Sequence, residues 1–200
     1  MIVGDAGAAI AASEPPPAVE PTPETRRERA VTRTVLVTDL VGSTALNERV
    51  GDVAYVDQLR EHDRVIRLRL REFDGVEFKH TGDGIGAWFF SANAALECAS
   101  ALARDFAASD PGLGTAPMQV RIALSAGEPE LVGTDLFGLA VTVAFRMLAI
   151  AEPGEVLVTS DAAGLCRGHP WSFERRGHHR LKGITEPVEL LQVTVASDRS

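Results

Sequence analysis

The spacing of hydrophobic residues changes several times along the chain, and each spacing predicts a different secondary-structure element. Thr34 to Asp39 begins with an apolar, β-branched run, which is typical of a buried strand. From Ser43 to Glu72 apolar residues recur at helical spacing, and Asp74-Gly75 ends that helix. Val76 to Lys79 and Ile85 to Phe90 are two short apolar runs, and the glycines between them predict a tight hairpin.

The rest of the chain continues this alternation. An alanine-rich amphipathic helix is predicted from Ala92 to Ala107. Further strands are predicted at Met118 to Ala126, Val156 to Thr159, Trp171 to Glu174 and Val188 to Val195, and further helices at Phe137 to Ala151 and Asp161 to Cys166. The order β-α-β-β-α-β with additions predicts an α+β fold with a ferredoxin-like core and helices on one face of the sheet.

Length and composition favour one folded domain. The chain has 200 residues, enough for one ordinary hydrophobic core. Residues 1–30 are rich in alanine and proline, so we expect a disordered segment or a linker there, with the folded domain at residues 31–196.

Charge and hydropathy exclude several function classes. The formal net charge of −8 argues against a nucleic-acid partner, which normally requires a basic face. No segment offers about 18 uninterrupted apolar residues for a membrane span, and the N-terminus lacks a basic signal-peptide region. Cys98 and Cys166 have no metal-type or redox-type spacing, so we interpret them as buried thiols. We therefore expect a soluble cytoplasmic protein without a membrane partner.

Two aspartates at strand ends are the strongest candidates for chemistry. Asp39 ends the first strand, and Asp83 lies in the glycine-containing turn of the hairpin. If those strands are neighbours, the two carboxylates form a hard oxygen site suited to one or two Mg²⁺ or Mn²⁺ ions. The alternative is that Asp39 caps the helix from Ser43 and that Asp83 only fills a turn.

The loop after Asp39 adds a second chemical feature. Leu40-Val41-Gly42-Ser43-Thr44 leads into a helix, so backbone N–H groups and a helix N-terminus would lie beside the carboxylates. Such a place attracts phosphate. Metal ligands next to a phosphate site suggest a nucleotide polyphosphate and phosphoryl or nucleotidyl transfer, although the sequence has no Walker-type loop and no dinucleotide glycine fingerprint.

Several motifs in order resemble the catalytic domain of class III nucleotidyl cyclases. They are Val37-Thr-Asp-Leu-Val-Gly-Ser-Thr44, Phe78-Lys-His-Thr-Gly-Asp-Gly84, Val120-Arg-Ile-Ala-Leu-Ser-Ala-Gly127, Asp135-Leu-Phe-Gly138, Val141-Thr-Val-Ala-Phe-Arg146, Glu152-Pro-Gly-Glu155 and Leu181-Lys-Gly-Ile-Thr-Glu-Pro187. The resemblance extends from Arg33 to Val195. It implies an adenylyl cyclase that converts ATP to 3′,5′-cyclic AMP and pyrophosphate.

The resemblance implies roles for the metal residues and for the phosphate residues. Asp39 and Asp83, with the backbone carbonyl of Leu40, would hold two divalent cations, Mg²⁺ or Mn²⁺. These ions would help to deprotonate the ribose 3′-hydroxyl and would neutralise the triphosphate during in-line attack on the α-phosphorus. Arg146 would stabilise charge on the α-phosphate, and Lys182 would contact the terminal phosphates.

The resemblance also implies a base-reading pair. Lys79 would donate to adenine N1, and Asp135 would accept from the exocyclic amine. Guanine presents the reverse pattern, so this pair would disfavour GTP. Without the resemblance, Lys79 could be an exposed strand residue and Asp135 could cap the helix predicted from Phe137.

Thr142 is the main departure from the family pattern, because most active members carry asparagine there. Its shorter hydroxyl predicts slower catalysis or a water in the gap. The family also implies that each site forms between two chains of a homodimer, with metal ligands from one chain and Lys79, Asp135, Thr142 and Arg146 from the other. Three functions stay open: an adenylyl cyclase, a degenerate module that dimerises or senses nucleotides, and a guanylyl cyclase.

Overall fold

A computed structural model describes residues 31–108, 118–168 and 171–194. The strands are β1 Arg33–Leu40, β2 Val76–His80, β3 Ile85–Phe89, β4 Val120–Gly127, β5 Glu130–Val132, β6 Asp135–Phe137, β7 Val156–Thr159, β8 Ser172–His179 and β9 Val188–Thr194. The helices are α1 Ser43–Val50, α2 Asp52–Glu72, α3 Ala92–Ala107, α4 Leu139–Met147 and α5 Ser160–Leu165. The segment predicted to be disordered or a linker, residues 1–30, lies outside the described residues, and the domain limits stay a prediction.

Seven of the strands form one sheet in the order β2-β3-β1-β4-β7-β9-β8. Its first four strands pair antiparallel, with α2 following β1 and α3 following β3. This is the ferredoxin-like arrangement, so the predicted α+β fold class is confirmed. Strand β7 then joins β4 in parallel, and β9 and β8 extend the sheet antiparallel from there.

Both faces of the sheet carry helices, because alternate residues of each strand point to opposite sides. On β1, Leu36 packs in a cluster with residues of α2 and α3, such as Ile66 and Leu102. Val37, one residue further, packs in a second cluster with Met147 of α4. The expectation that all helices lie on one face was therefore wrong for α4. Strand β7 is parallel to β4, and a parallel neighbour needs a crossover connection, which contains α4.

Several boundaries differ from the predicted ones because of glycines. Gly51, with φ of 81°, separates α1 from α2 where one helix from Ser43 to Glu72 was predicted. The segment before α4 forms the β5–β6 hairpin, which the sequence pattern did not indicate. Helix α4 consequently begins at Leu139, after Gly138, and not at Phe137.

The two cysteines differ in burial, so the prediction of a buried thiol is confirmed for Cys98 but not for Cys166. Cys98 is fully buried in α3, and burial raises the pKa of its thiol to about 12. Cys166 lies just past the end of α5, half-buried, and burial raises the pKa of its thiol to about 11. Among the described residues, no helix combines the length and the apolar character that a membrane span requires.

Candidate active site

The turn between β2 and β3 is held directly against the end of β1. Only glycine fits at position 84, because a Cβ there would collide with the carbonyl oxygen of Thr38. The backbone N–H of Leu40 donates to the carbonyl of Asp83 at 3.0 Å. Strands β1 and β3 are neighbours, so the condition for a shared site of Asp39 and Asp83 is met.

Asp39 lies in a setting that disfavours its own negative charge. Burial, and then the charge of Asp83, raise the pKa of Asp39, while the charge of Arg121 lowers it in part. The alternative that Asp39 caps the first helix is wrong, because the N-cap of α1 is Gly42. Two carboxylates that repel each other in a partly buried place attract a cation.

Arg121 is a residue of this site that the sequence analysis missed. It lies opposite Asp39 in the β1–β4 register, and its Nη2 is 3.7 Å from Asp39 Oδ2. Its Nη1 donates to the carbonyl of Leu148, just past the end of α4, at 3.2 Å. Only the strand register could have identified Arg121, since Asp39 and Arg121 are far apart in sequence.

The donor set of this site fits a hard divalent cation. Asp39 and Asp83 supply carboxylate oxygens, and the backbone of Leu40 lies beside them. The described part of the chain contains no cluster of three or more histidine, cysteine, aspartate or glutamate side chains able to hold a metal. The remaining ligands would be backbone oxygens, water and substrate phosphate, which is the coordination that Mg²⁺ ordinarily has at phosphate sites.

The loop from Val41 to Thr44 has the predicted geometry with one restriction. Gly42 has φ of 65°, and α1 starts directly after it, so the first N–H groups of that helix have no acceptor within the helix. The N–H of Val41 donates to the carbonyl of Gln119 at 2.8 Å, and Ser43 Oγ donates to Asp83 Oδ2 at 2.6 Å. The N–H of Val41 is therefore not available to a phosphate, and the hydroxyl of Ser43 orients the carboxylate of Asp83.

A second group of predicted residues lines a separate cleft of about 430 Å³. Lys79 Nζ donates to Asp135 Oδ2 at 2.7 Å, although 56 residues separate the two in sequence. A β-bulge between Glu77 and Lys79 shifts the register of β2 beside this pair. The residues lining the cleft are Lys79, Leu136, Phe137, Gly138, Val141, Thr142, Phe145 and Arg146.

Asp135 does not cap α4, as the alternative interpretation had it. It belongs to β6, and its Oδ1 accepts from the N–H of Leu136 at 2.9 Å. The hydrogen bond from Lys79, and then the bond from Leu136, lower the pKa of Asp135. Both carboxylate oxygens accept hydrogen bonds, which favour the ionised form of Asp135.

Thr142 and Arg146 lie one turn apart on the exposed face of α4. Thr142 Oγ1 donates to the carbonyl of Gly138 at 3.2 Å, so its proton is directed back along the helix. Lys182 is exposed in the connection between β8 and β9 and does not line this cleft. Neither Asp39 nor Asp83 lines it either, so the predicted site residues fall into two separate groups, one at Asp39 and Asp83 and one at the cleft.

The sequence of this chain is similar to those of a known protein family. Residues 25–194 match the family model described as the adenylate and guanylate cyclase catalytic domain. A putative adenylate cyclase 3 of Rhizobium meliloti is 32% identical over 158 residues, which are 78% of this chain and 27% of that protein. The chain spans between 27% and 38% of the length of the curated relatives it matches.

Solved structures share the fold. The adenylyl cyclase CyaB from P. aeruginosa superposes with a TM-score of 0.74 at 21% identity, covering 84% of this chain and 95% of that one. An adenylate/guanylate cyclase/hydrolase from Silicibacter pomeroyi has a TM-score of 0.70 at 28% identity, covering 83% and 98%. Similar proteins thus carry the names of both cyclase activities, so similarity alone does not identify the base that this chain selects.

Proposed function

This chain belongs to the adenylate and guanylate cyclase catalytic domain family, and we propose that it is an adenylyl cyclase with active sites shared between two copies of the chain. The observation that carries the choice of ATP is the Lys79–Asp135 ion pair at the rim of the cleft. An ammonium donor beside a carboxylate acceptor complements the N1 and exocyclic amine of adenine. Guanine would place donor against donor and acceptor against acceptor.

We call the Asp39–Asp83 pair and the cleft with Arg146 the two half-sites, and each would have a different role in cyclisation. Asp39 and Asp83 would hold two Mg²⁺ or Mn²⁺ ions, which when bound supply Lewis-acid activation and charge neutralisation. Arg121, facing Asp39, adds positive charge on the side where the triphosphate would lie. Arg146 would stabilise the charge that develops on the α-phosphate as the ribose 3′-hydroxyl attacks and pyrophosphate leaves.

Sharing between two chains is supported by the separation of the half-sites and by the surface beside the cleft. Large apolar side chains are exposed on the β5–β6 hairpin and at the start of α4. They include Phe137 and Leu139, exposed by 53% and 67%, and Val132. Exposed apolar surface of this kind marks an interaction site. A two-fold dimer would cover it and would bring each cleft to the Asp39–Asp83 pair of the other chain.

The direct test is to measure cyclic nucleotide formed from ATP and from GTP, with Mg²⁺ and with Mn²⁺. We expect cyclic AMP from ATP and little product from GTP. Product from GTP alone would make the chain a guanylyl cyclase. If dimers are present and neither nucleotide gives a product, the second candidate would be favoured, a degenerate module that binds nucleotide without turnover. The observation that supports this candidate is the threonine at position 142.

Base selection gives a sharper prediction. The double variant Lys79→Glu, Asp135→Gly should lower kcat/KM for ATP by roughly 10²-fold or more, because a carboxylate would then face adenine N1. The ratio of GTP to ATP turnover should rise. The matched control is Arg60→Glu with Asp57→Ala, which changes an exposed ion pair on α2. An unchanged ratio would show that Lys79 and Asp135 do not read the base.

The departure at Thr142 gives a gain-of-function prediction. An asparagine amide there can donate into the cleft, whereas the threonine hydroxyl donates to Gly138. Positioned contacts of this kind contribute on the order of 1–3 kcal/mol in the transition state. Thr142→Asn should therefore raise kcat several-fold with little change in KM.

Steady-state kinetics check this prediction, with Thr185→Asn, an exposed substitution away from the cleft, as the control. A lower kcat for Thr142→Asn in a folded protein would mean that the site is built around threonine.

A further inference from the structure

The carboxylate of Asp63 on α2 accepts hydrogen bonds from three side chains. His62 Nδ1 lies 3.1 Å from Oδ1, while Arg67 Nη1 and His80 Nε2 lie 3.2 and 2.8 Å from Oδ2. Arg67 also donates to both carboxylate oxygens of Glu77, at 2.8 and 2.9 Å. These five residues, here called the Asp63 network, tie α2 to β2 just before the turn that carries Asp83.

His80 connects this network to the backbone of the turn. An ionised carboxylate only accepts, so His80 Nε2 carries the proton and donates to Asp63. Nδ1 is then an acceptor, and the N–H of Gly82 donates to it at 3.3 Å. Gly82 has φ of 97° and directly precedes Asp83. The orientation of His80 therefore holds the left-handed residue on which the direction of Asp83 depends.

His62 is the fully buried member of the network. Its ring is fully buried, and burial lowers its pKa, so the imidazole is neutral with Nδ1–H donating to Asp63. Nε2 is consequently an acceptor, and it has no partner among the described residues. The negative charges of Asp63 and then of Asp83 counteract part of this lowering of the His62 pKa.

Burial separates Asp63 from the exposed Asp57–Arg60 ion pair of the same helix. The side chain of Asp63 is 14% exposed, whereas Asp57 and Arg60 are 65% and 76% exposed. Exposed pairs of that kind contribute little to structure or stability. A misplacement of about 1 Å at a reacting centre can cost on the order of 10²-fold in rate. A half-buried network that is hydrogen-bonded to the turn is suited to prevent such a misplacement of Asp83.

We propose that Asp63 and His80 are positioning residues that hold the Gly82-Asp83 turn in the geometry that binds the divalent cation. Helix α2 thereby acts on metal binding at Asp83 through His80 and the backbone of the turn. The inference rests on the proposed function for its effect on catalysis, but its effect on metal binding stands apart from any turnover.

Two substitutions of His80 separate its two hydrogen bonds. His80→Asn keeps an acceptor near the position of Nδ1 and loses the donor to Asp63. His80→Gln keeps a donor near the position of Nε2 and loses the acceptor for Gly82. Asp63→Asn removes the anion at the centre of the network. Glu61→Gln is the matched control, since it breaks the exposed Glu61–Arg64 pair on the same helix.

The measurement is the binding of Mn²⁺ alone, followed by the electron paramagnetic resonance signal of free Mn²⁺, together with thermal unfolding without metal. Outer partners of metal ligands typically change metal affinity 10–100-fold. We expect Asp63→Asn and both His80 variants to weaken Mn²⁺ binding by that amount at unchanged unfolding temperature. Glu61→Gln should bind like the wild type, and saturating Mn²⁺ should restore kcat.

Wild-type Mn²⁺ affinity in both His80 variants would overturn the inference, as would a wild type that binds no Mn²⁺. If Asp63→Asn fails to fold, the partly exposed His80 decides the question. A wild type that binds Mn²⁺ but cyclises neither ATP nor GTP would contradict the proposed function alone. The Mn²⁺ affinities of the variants would then still decide the role of Asp63 and His80.

Discussion

Replacing Asp39 or Asp83 by alanine is expected to abolish cyclic nucleotide formation while the domain stays folded. Each substitution removes a ligand carboxylate and leaves the triphosphate charge uncompensated in the transition state. The loss of a single charge-stabilising group at an active site costs on the order of 10²–10³ in kcat. A loss of at least that size is expected here, measured as cyclic AMP formed from ATP with Mg²⁺ and with Mn²⁺.

The unfolding temperature should respond differently from the activity, so the assignment of Asp39 as a metal ligand can be tested without turnover. Because the pKa of Asp39 is raised, the folded domain disfavours its charged form, and this cost grows as the pH rises through that pKa. At neutral pH, Asp39→Asn should therefore unfold at the wild-type temperature or slightly above it when metal is absent. Added Mn²⁺ should raise the unfolding temperature of the wild type only.

The control is Asp57→Asn, which removes an exposed carboxylate on α2 and should leave both activity and the Mn²⁺ effect intact. Near-normal activity in either alanine variant would remove the metal assignment. The same holds if Mn²⁺ stabilises Asp39→Asn as much as it stabilises the wild type.

Mixing two inactive variants is expected to restore activity. In an Asp39→Ala chain the cleft with Arg146 is intact, and in an Arg146→Ala chain the Asp39–Asp83 half-site is intact. A mixed dimer then contains one site with both halves wild type and one site with neither. Random exchange of equal amounts makes half of the dimers mixed, so activity should reach roughly a quarter of the wild-type value.

The measurement is cyclic AMP formation before and after the two variants are mixed, with mixed dimers verified by tagging one chain and pulling down the other. A mixture of Asp39→Ala with Asp83→Ala is the matched control. Both changes lie in the same half-site, so no dimer of those chains contains a complete site. No recovery with verified mixed dimers would mean that each site is built within one chain.

Local sequence patterns predicted most of the secondary-structure elements. The strand before Asp39, the hairpin around Asp83 and the amphipathic helix α3 each follow from residues that are close in sequence, and the structure confirms all three. The limits of α3, Ala92–Ala107, were predicted to the residue, because Ser91 caps its start and its apolar positions hold one period to the end.

Glycine positions and pairing partners were harder to read. Gly51 looks like a tolerated residue inside a helical pattern, but its positive φ separates two helices. The β5–β6 hairpin is only three residues per strand, too short for a periodic signal, and it carries Asp135 to Lys79. The side of the sheet on which α4 packs depends on the parallel pairing of β7 with β4, which no local pattern records.

The candidate site divides in the same way. The sequence by itself determined which residue types stand at strand ends and turns, since the Asp39 and Asp83 motifs are local. Only the tertiary structure decided that Arg121 faces Asp39, that Lys79 pairs with Asp135, and that Asp63 reaches the Gly82-Asp83 turn through His80. Strand register and side-chain hydrogen bonds join residues that are far apart in sequence, whereas a sequence pattern records only the preferences of neighbours.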